Sequence, residues 1–512
     1  MEQSVGALIA TSAKKYGDKP ALIVEGETWS FRQLDDLSSL LAQNLQKRGV
    51  QAGELVSIYS PNSARWVIAY YAILKFGGVV NPLNAMLTPV EAAYAIEDCG
   101  AVAVLGQLDK LTALRRELGG RGMLFVSFGD ADEGVEKFDD LLIGEIPTTY
   151  PFASLTREHV STVAYTSGTT GKPKGAVLSH RAILFNTALT ATYHMRTDAD
   201  TVVSALPCTH VYGNVVMNSA IAYGMTLVLH PSFNEEAILT SIQRHRATIF
   251  EGVPTMYMYL LNFPKLDSFD ISSLTRCTVG GQTMPLAKMQ QVEERFGAPL
   301  LELWGMTELG GLGTTHCAYG PRKLGSIGIP LPFLQARIAK PELYKISLPP
   351  REVGELLLKG PVTMDGYWKR PEATAETIES DGWLHTGDLA YMDEEGFIFV
   401  VDRLKDMIIT GGYNIYPAEL ESVLCEHPAV AMAAVVGTPD DVKGELATAY
   451  VVAKNGTSVT AEEILGFCRQ RLAAYKVPRS VQFVDDLPKT GSGKILRRVL
   501  RDRNPPGGKS PA

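Results

Sequence analysis

Eleven residues from Tyr165 to Gly175, YTSGTTGKPKG, combine hydroxyl, glycine and lysine side chains and contain no acidic residue. Glycines let the backbone turn tightly and bring its N–H groups close to a ligand. Hydroxyl groups add donors and lysines add positive charge, and both suit phosphate oxygens. Apolar residues on each side predict two strands joined by this stretch. It is longer than an ordinary hairpin turn, and its composition favours phosphate binding over a plain surface turn.

This phosphate-binding stretch differs from the Walker loop, which has the pattern G-x-x-x-x-G-K-[ST] at the start of a helix. Here Gly171-Lys172 is followed by Pro173, and no glycine precedes it at the required spacing. The segment GSGK at 491–494 fails the same test, because Pro488 and Ile495 occupy the critical positions. The sequence therefore disfavours ordinary kinases and P-loop ATPases.

Composition restricts the class of protein further. The 512 residues are 46% hydrophobic and 20% charged, which is typical of a globular chain of two to four units. A net charge of −8 gives no support for nucleic-acid binding. The six cysteines form no CxxC pair, which predicts reduced thiols and no structural zinc. The first residues lack a signal-peptide pattern, and the longest apolar run, 215–229, is short for a membrane span. We expect a cytoplasmic protein without a transmembrane segment.

The elements that must position the phosphate loop alternate between strands and helices. This alternation predicts a large α/β domain with mostly parallel sheets, in which ligands lie at the carboxyl ends of strands. Two antiparallel segments, 354–360 and 397–401, predict a smaller sheet or a β-barrel-like region. A charged segment, 401–406, predicts a linker to a compact α+β unit. Residues 111–150 look irregular, and residues 497–512 are expected to form a disordered tail.

Six motifs occur in a fixed order along the chain. They are YTSGTTGKPKG at 165–175, WGMTE at 304–308, TGD at 386–388, DRLKD at 402–406, GGYNIYPAELE at 411–421 and PKTGSGK at 488–494. In this order they resemble the adenylate-forming superfamily of acyl-CoA synthetases, firefly luciferases and peptide-synthetase adenylation domains. Trp304 stands where many members have Tyr. The similarity extends over almost the whole chain.

This resemblance implies an adenylating domain, 1–403, here called the body, and a mobile C-terminal domain, 404–512, here called the lid, hinged near Lys405. It implies two half-reactions. A carboxylate attacks the α-phosphorus of ATP to give an acyl-adenylate and pyrophosphate, and a thiol then displaces AMP. The expected cofactors are ATP, Mg²⁺ and coenzyme A, and the expected partner is a small carboxylic acid. A homodimer is left open.

Roles follow from matched positions in the family. The resemblance assigns the β- and γ-phosphates to Thr166, Ser167, Gly168, Thr169, Thr170, Gly171, Lys172 and Lys174; the adenine to Gly280, Gly281, Gln282, Glu302, Leu303 and Trp304; the rest of the nucleotide to Gly305, Met306, Asp388, Arg403 and Lys405; and the thiol's path to Gly411, Gly412 and Tyr413. Thr307 is expected to contact the α-phosphate, and Glu308 to hold Mg²⁺. Lys494 is expected to bridge the carboxylate and the α-phosphate, whereas Lys489 is expected to be a solvated surface lysine.

The acid is expected to lie beside His210, which would act as a gate between the acid and the thiol, and beside Val211, Tyr212, Gly310, Gly311 and Leu312. None of these carries a fixed charge, so an apolar monocarboxylic acid, fatty or aromatic, fits best. Glycines 310, 311 and 313 are expected to leave room for it. A dicarboxylate stays open because Arg322 and His316 could reach in. An acyl-AMP ligase that loads a carrier protein and a luciferase-like oxygenase share the same motifs and are alternative functions.

Overall fold

The computed structural model describes residues 3–119, 122–147, 155–166, 172–341, 343–404, 406–410, 413–440, 443–454, 456–490 and 493–502. Several predicted site residues lie outside these ranges: Ser167, Gly168, Thr169, Thr170, Gly171, Lys405, Gly411 and Gly412.

The strands are β1 Pro20–Val24, β2 Glu27–Ser30, β3 Leu55–Tyr59, β4 Val79–Leu83, β5 Ala103–Gly106, β6 Leu124–Ser127, β7 Glu136–Lys137, β8 Val160–Thr166, β9 Lys174–Ser179, β10 Thr201–Ser204, β11 Thr226–Leu229, β12 Ile249–Gly252, β13 Arg276–Gly280, β14 Leu300–Met306, β15 Gly311–Thr315, β16 Ile329–Pro330, β17 Gln335–Lys340, β18 Leu343–Ser347, β19 Gly354–Lys359, β20 Gly366–Tyr367, β21 Leu384–Met392, β22 Ile398–Arg403, β23 Ile408–Thr410, β24 Tyr413–Ile415, β25 Val430–Asp440, β26 Gly444–Ala453 and β27 Ser480–Phe483.

The α-helices are α1 Gly6–Tyr16, α2 Phe31–Lys47, α3 Ala64–Lys75, α4 Pro89–Cys99, α5 Leu108–Glu117, α6 His180–Tyr193, α7 Val211–Tyr223, α8 Glu235–His245, α9 Pro254–Asn262, α10 Leu286–Phe296, α11 Pro371–Thr377, α12 Pro417–Glu426, α13 Ala461–Arg469 and α14 Arg497–Asp502. Short 3₁₀ helices span Phe138–Leu142, Leu266–Ser268 and Thr307–Leu309. Among the described residues, no helix combines the length and apolar character that crossing a membrane requires.

Two large sheets form most of the body. One has the strand order β16-β15-β14-β13-β12-β10-β11-β1-β2, and its pairs from β14 to β1 are parallel. The other has the order β20-β9-β8-β4-β3-β5-β6-β7 and is parallel from β8 to β7. The predicted α/β class with layered, mostly parallel sheets is therefore confirmed. The predicted hairpin around the phosphate loop is the antiparallel pair β8–β9.

Two buried helices connect these sheets. Helix α3 begins where the Ser63 side chain accepts a hydrogen bond from the backbone of Trp66, and nearly all of its side chains are buried. Its tyrosine hydroxyls bond to asparagines of α7, at 3.2 Å between Tyr70 and Asn214 and 2.9 Å from Tyr71 to Asn218. These bonds satisfy polar groups that would otherwise be costly to bury. They fix α7, which His210 caps and whose first turn includes Tyr212.

The predicted barrel-like region is an antiparallel sheet with the linear order β18-β17-β19-β21-β22. Its strand β22 ends at Arg403, and β23 begins at Ile408 in a separate sheet with the order β24-β23-β26-β25, to which β27 adds in parallel. Helices α12 and α13 pack on this sheet around a core of its own. The boundary between body and lid at residue 403 stays a prediction.

Two predictions about irregular segments are wrong. Within 111–150, most of α5 and strand β6 form, because Leu111, Leu114 and Phe125 are buried beneath polar neighbours. In the supposed tail, α14 is ordered through Asp502. Leu500 is fully buried, and its carbonyl accepts a hydrogen bond from the Tyr450 hydroxyl at 3.0 Å. Two adjacent apolar residues among charged ones, Val499 and Leu500, gave no periodic signal of this packing.

Candidate active site

Lys494 reaches from the lid into the body. A Cβ at position 281 would lie 3.2 Å from the Lys494 Cε, so the lysine stem passes directly over Gly281. Residue 281 also has φ +91°, which residues with a side chain rarely adopt. Glycine allows this backbone conformation and leaves room for the lysine stem. The Thr255 hydroxyl donates to the carbonyl of Gly493 at 3.0 Å and anchors the neighbouring backbone.

The charge state of Lys494 is adjusted by its surroundings. Burial and, secondly, the positive charge of Arg403 lower the pKa of its ammonium group to about 8, while Asp388 and Glu308 act in the opposite direction. The ammonium group is therefore still mostly protonated near neutral pH. A partly buried cation held near two carboxylates and an arginine is a suitable partner for an anionic ligand.

His210 caps the start of α7. Its Nδ1 accepts a hydrogen bond from the backbone N–H of Tyr212 at 3.3 Å, which leaves the ring proton on Nε2 in the neutral form. Burial, with a smaller contribution from the charge of Lys494, lowers the pKa of His210 to about 3. The ring is therefore neutral at neutral pH. This geometry suits a positioning or gating role better than a cationic one.

Asp388 connects three of the sequence motifs. The indole N–H of Trp304 donates to its Oδ2 at 2.8 Å, and the Nε of Arg403 donates to its Oδ1 at 3.0 Å. The pairing of β21 with β22 sets Asp388 directly opposite Arg403. Trp304 supplies an N–H donor at the position where many family members have Tyr. Each carboxylate oxygen keeps acceptor capacity for a further donor.

Glu308 follows β14 in a 3₁₀ turn and is buried. Its Oε1 accepts a hydrogen bond from the Tyr367 hydroxyl at 2.7 Å. Burial and the adjacent Glu308 raise the pKa of Tyr367, so the phenol stays protonated. The Nζ of Lys174 lies 5.2 Å from the centre of the Tyr367 ring. Tyr367 was missed by sequence reasoning because only the pairing of β20 with β9 brings it here.

The described ends of the phosphate loop are close together. Thr166 and Lys174 are paired opposite each other at the mouth of the β8–β9 hairpin. The Nζ of Lys172 lies 5.4 Å from the centre of the Tyr94 ring. The hairpin thus holds Lys174 beside Tyr367, and through Tyr367 beside Glu308.

The predicted adenine side contains a buried acid. Glu302 is 4% exposed, and its Oε2 has no hydrogen-bond partner among the described residues. Burial raises the pKa of this carboxyl well above its usual value. On the neighbouring strand Gly280 packs against Leu303, and Gly281 and Gln282 are partly exposed. The carbonyl of Thr307 accepts from the Gly310 N–H at 2.9 Å, which closes the turn after Gly305 and Met306.

The predicted acid side is largely apolar, with one polar network beneath it. Val211, Tyr212 and Leu312 are buried. The Tyr212 hydroxyl contacts Thr278 at 2.6 Å and donates to Glu251 at 3.0 Å. Glu251 is itself fully buried and ion-paired with Arg196. Sequence reasoning missed this pair, because its members lie on separate elements with no motif around them.

The glycines expected to leave room for the acid are enclosed by neighbouring side chains. A Cβ at Gly311 would lie 2.5 Å from the Asn186 Oδ1, and one at Gly313 would lie 2.7 Å from the Leu358 Cδ1. At Gly310 it would contact Ile183 at 3.5 Å. The prediction that Gly311 and Gly313 open space is therefore wrong, because both allow β15 to pack closely, against Asn186 of α6 and against Leu358 of β19. At Gly310 the contact is at an ordinary van der Waals distance, so the prediction for this position stays a prediction.

Three further predictions fail for similar reasons. His316 is buried and bonds to the carbonyl of Glu302 at 3.2 Å and to Ser326 at 3.0 Å. Arg322 pairs with Glu293 at 2.5 Å, so neither residue extends toward the acid. Lys489 is not solvated: its side chain is only 15% exposed and contacts Asp486. In each case the side chain bonds to a nearby residue in the fold, and the sequence alone does not show which residue that is.

Tyr413 stands apart from the other predicted residues. Its side chain is 60% exposed, and its ring lies 4.8 Å from that of Tyr475, which also belongs to the lid. It therefore lies on the lid surface and makes none of the contacts described for Lys494.

A cavity of about 380 Å³ lies between the body and the lid. Its lining includes Lys110, Thr209, Thr255, Tyr259, Lys489 and Gly493. One part of its wall is adjacent in sequence to His210 and another to Lys494. The cavity therefore lies beside the two residues predicted to act on the acid.

Sequence comparison agrees with this geometry. The model of the AMP-binding enzyme family matches residues 9–368, and that of the AMP-binding enzyme C-terminal domain matches residues 419–494. The chain belongs to the AMP-binding enzyme family, whose members include acid–thiol ligases.

Two relatives and one solved structure indicate the class more closely. A long-chain-fatty-acid–CoA ligase of Bacillus subtilis is 37% identical, with 97% of this chain and 94% of the relative covered. A feruloyl-CoA synthase of an Amycolatopsis species is 36% identical, with 98% and 99% covered. The crystal structure of the anthranilate CoA ligase AuaEII in complex with anthranoyl-AMP superposes with a TM-score of 0.91 at 27% identity, covering 98% of this chain and 97% of that one. The protein is thus an acid–thiol ligase of the acyl-CoA synthetase type.

Proposed function

We propose that the protein activates an apolar monocarboxylic acid with ATP and transfers the acyl group to coenzyme A, with release of AMP and pyrophosphate. The observation that carries this proposal is the position of Lys494, a partly buried lysine of the lid that lies on Gly281 of the body. The charges of Asp388 and Arg403 act on its ammonium group, and its own charge acts on His210. Two anions must meet in the first half-reaction, and a cation at their meeting point lowers the barrier.

In the first half-reaction an oxygen of the carboxylate bonds to the α-phosphorus, and the bond to the pyrophosphate oxygen breaks. Lys494 would hold the two anions together and stabilise the charge that develops on the α-phosphate. Thr307 would donate to the same phosphate. Lys172 and Lys174, at the end of the phosphate loop, would receive the leaving pyrophosphate.

The nucleoside would be held by groups that still have hydrogen-bonding capacity. Asp388 can accept ribose hydroxyls in addition to Trp304 and Arg403, which already fix its orientation. Glu302 would lie beneath the adenine, and burial raises the pKa of its carboxyl well above the usual value, which favours the protonated form.

Glu308 fits a magnesium ion that is shared with phosphates. The preferred Mg²⁺ site combines one or two carboxylates with substrate phosphate oxygens, and Tyr367 orients this carboxylate by bonding to only one of its oxygens. Among the described residues no cluster of three or more His, Cys, Asp and Glu side chains is arranged to hold a metal without such phosphates. When bound, the ion would neutralise phosphate charge.

In the second half-reaction the thiol sulfur attacks the acyl carbon, the thiol loses its proton, and AMP leaves. The thiol would approach along the face of the lid that carries Gly411, Gly412 and Tyr413, as the resemblance implies, and not through the cavity beside Thr209 and Gly493. Neutral His210 would separate the acid from the thiol until the adenylate has formed.

The chemistry of the acid side supports an acid without a second charge. The buried acid nearest to Tyr212 is Glu251, and its charge is already balanced by Arg196. An additional ammonium or carboxylate on the substrate would be buried without a partner, which is costly. The fatty and aromatic acids named for the relatives both satisfy this condition.

A pyrophosphate-release assay tests the proposal. Fatty and aromatic acids are supplied with ATP and Mg²⁺, with and without CoA, and AMP and the thioester are quantified. We expect acid-dependent pyrophosphate release and CoA-dependent thioester. Adenylate formation that responds to a carrier protein and not to CoA would support the carrier-loading alternative, and oxygen-dependent light emission the luciferase-like one. A homodimer and a cytoplasmic location stay predictions, to be tested by light scattering and cell fractionation.

A further inference from the structure

A second lysine of the same lid loop contacts the body. The Nζ of Lys489 donates hydrogen bonds to the Tyr259 hydroxyl and to the Asp486 carboxylate. The Tyr259 hydroxyl in turn donates to Asp486, with oxygen–oxygen distances of 3.0 and 3.1 Å. Tyr259 lies on α9 of the body, and its ring is stacked with Phe233 at 6.2 Å. A closed triangle of hydrogen bonds therefore crosses from body to lid.

This triangle is connected rigidly to Lys494. Residues 489 and 495 form an antiparallel bridge, and the Leu496 N–H donates to the carbonyl of Pro488 at 2.8 Å. Thr490 and Lys494 exchange two hydrogen bonds, at 2.7 and 3.0 Å. The described residues on the two sides of this loop, 488–490 and 494–496, are thus held together by hydrogen bonds. A displacement of Lys489 moves the backbone that carries Lys494.

The energies involved suit a contact that forms and breaks. Asp486 is 54% exposed, and ion pairs of this exposure contribute little to overall stability. The same loop is joined to the body elsewhere by the hydrogen bond from Thr255 to Gly493. The triangle therefore adds positional precision to a contact that already exists.

We propose that Lys489, Asp486 and Tyr259 form a clamp that positions Lys494 for the first half-reaction. These are positioning residues: none of them touches the predicted reacting atoms, and they act through the loop. The inference rests on the proposed function, because it concerns the adenylation step of that reaction. If the clamp positions Lys494, the first half-reaction depends on the clamp and the second does not.

Two substitutions test the clamp. Lys489→Met removes its cation at similar side-chain length, and Tyr259→Phe removes only the hydroxyl and keeps the ring. Misplacing a catalytic group by a fraction of an ångström lowers the rate of the step it serves. We expect each variant to lower acid-dependent ATP–pyrophosphate exchange roughly five- to tenfold, the scale of a lost part-exposed polar contact. Lys489→Arg, which keeps the charge and the donors, is expected to restore most of the exchange.

Thioester formation from chemically prepared acyl-adenylate and CoA is the second readout, and it is expected to stay within twofold of the wild type. Lys265→Met is the matched control, because Lys265 forms an exposed ion pair within the body, with Glu236 at 3.6 Å. Normal exchange in both clamp variants would overturn the proposal, as would an equal loss of both half-reactions. Absence of acid-dependent exchange in the wild type would instead refute the proposed function.

Discussion

The lid has two charged regions of different character, one where its loop contacts the body and one within the lid beside the hinge. At the tip of the lid loop, Lys489 and Asp486 contact Tyr259 at a partly exposed boundary. At the hinge, Arg497 of the last helix is largely buried and pairs with Glu421 at 2.6 Å and with Asp406 at 3.7 Å. The tip carries the residue predicted to act on substrate, whereas the hinge region holds the lid's own elements together.

Burial explains the difference between the two regions. Exposed pairs exchange easily with water and contribute little, so contacts at the tip can break during a reaction cycle. A buried pair cannot lose one partner without leaving an uncompensated charge. The hinge region also includes Asp402 of the body, whose Oδ2 accepts a hydrogen bond from Ala418 of the lid at 2.9 Å. The contacts at the tip are therefore suited to breaking and re-forming, whereas the buried contacts at the hinge are suited to staying intact.

The largest expected effect is on the hinge region. Arg497→Met leaves the buried carboxylate of Glu421 without its cation, and we expect the lid to lose about 3–5 kcal/mol of stability. Hydrogen exchange of the α12 and β25 amides measures this loss. Arg469→Met is the matched control, because Arg469 forms an exposed pair with Glu462 and its loss should cost less than about 1 kcal/mol. Equal protection in both variants would contradict the assignment.

The next effect is on the tip and concerns rate instead of stability. Lys494→Ala is expected to lower acyl-adenylate formation by roughly two to three orders of magnitude, the scale of a lost donor to developing charge. Lid amide protection should stay unchanged, because Lys494 takes part in none of the ion pairs found among the described residues. Near-normal ATP–pyrophosphate exchange would remove Lys494 from the catalytic role.

The sequence predicted the tip better than the hinge, for a physical reason. Binding phosphate requires particular residue types at short spacing, so PKTGSGK and YTSGTTGKPKG are readable without a structure. Helices that start at a strong local signal are also readable from the sequence, as for Pro254–Asn262 and Pro417–Glu426, each of which begins with proline. Arg497 forms its contacts 76 residues away in sequence, and nothing local distinguishes it from neighbouring arginines.

The same limitation applies to the two lysines of one loop. Lys489 and Lys494 have the same side chain, and only the resemblance separated them in the sequence. Tyr259 and Tyr367, which orient Lys489 and Glu308, have no motif of their own. Their positions depend on how α9 and β20 pack against distant elements. Residue chemistry therefore predicted which groups act, and packing determined which groups hold them in place.

A smaller effect is expected from pH at the hinge. Burial, only partly opposed by Arg497, raises the pKa of Asp402 to about 6. Between pH 4 and 6 the folded state keeps a proton that the unfolded state has lost, so this contribution to stability is present at low pH and is lost as the pH rises. Over this range it amounts to about 3 kcal/mol.

Asp402→Asn should remove this dependence. Urea unfolding of the lid at pH 4.5 and at pH 6.5 measures the difference for the wild type and the variant. Asp485→Asn, at an exposed position of the lid, should keep the wild-type slope. Identical slopes for wild type and Asp402→Asn would show that the buried carboxyl does not titrate as proposed.

The smallest expected effect is the pH dependence of the tip. Lys494 must be a cation to bridge two anions, and its pKa in the free enzyme is lowered to about 8, chiefly by burial. The value of kcat/KM for ATP in adenylate formation should therefore fall about tenfold per pH unit above pH 8, because this parameter reports the free enzyme. In Lys494→Arg the charge persists at high pH, so whatever activity remains should not fall in that range. A wild-type profile that stays flat to pH 10 would contradict a cationic role for Lys494, whereas a shared decline in both proteins would assign the titration to another group.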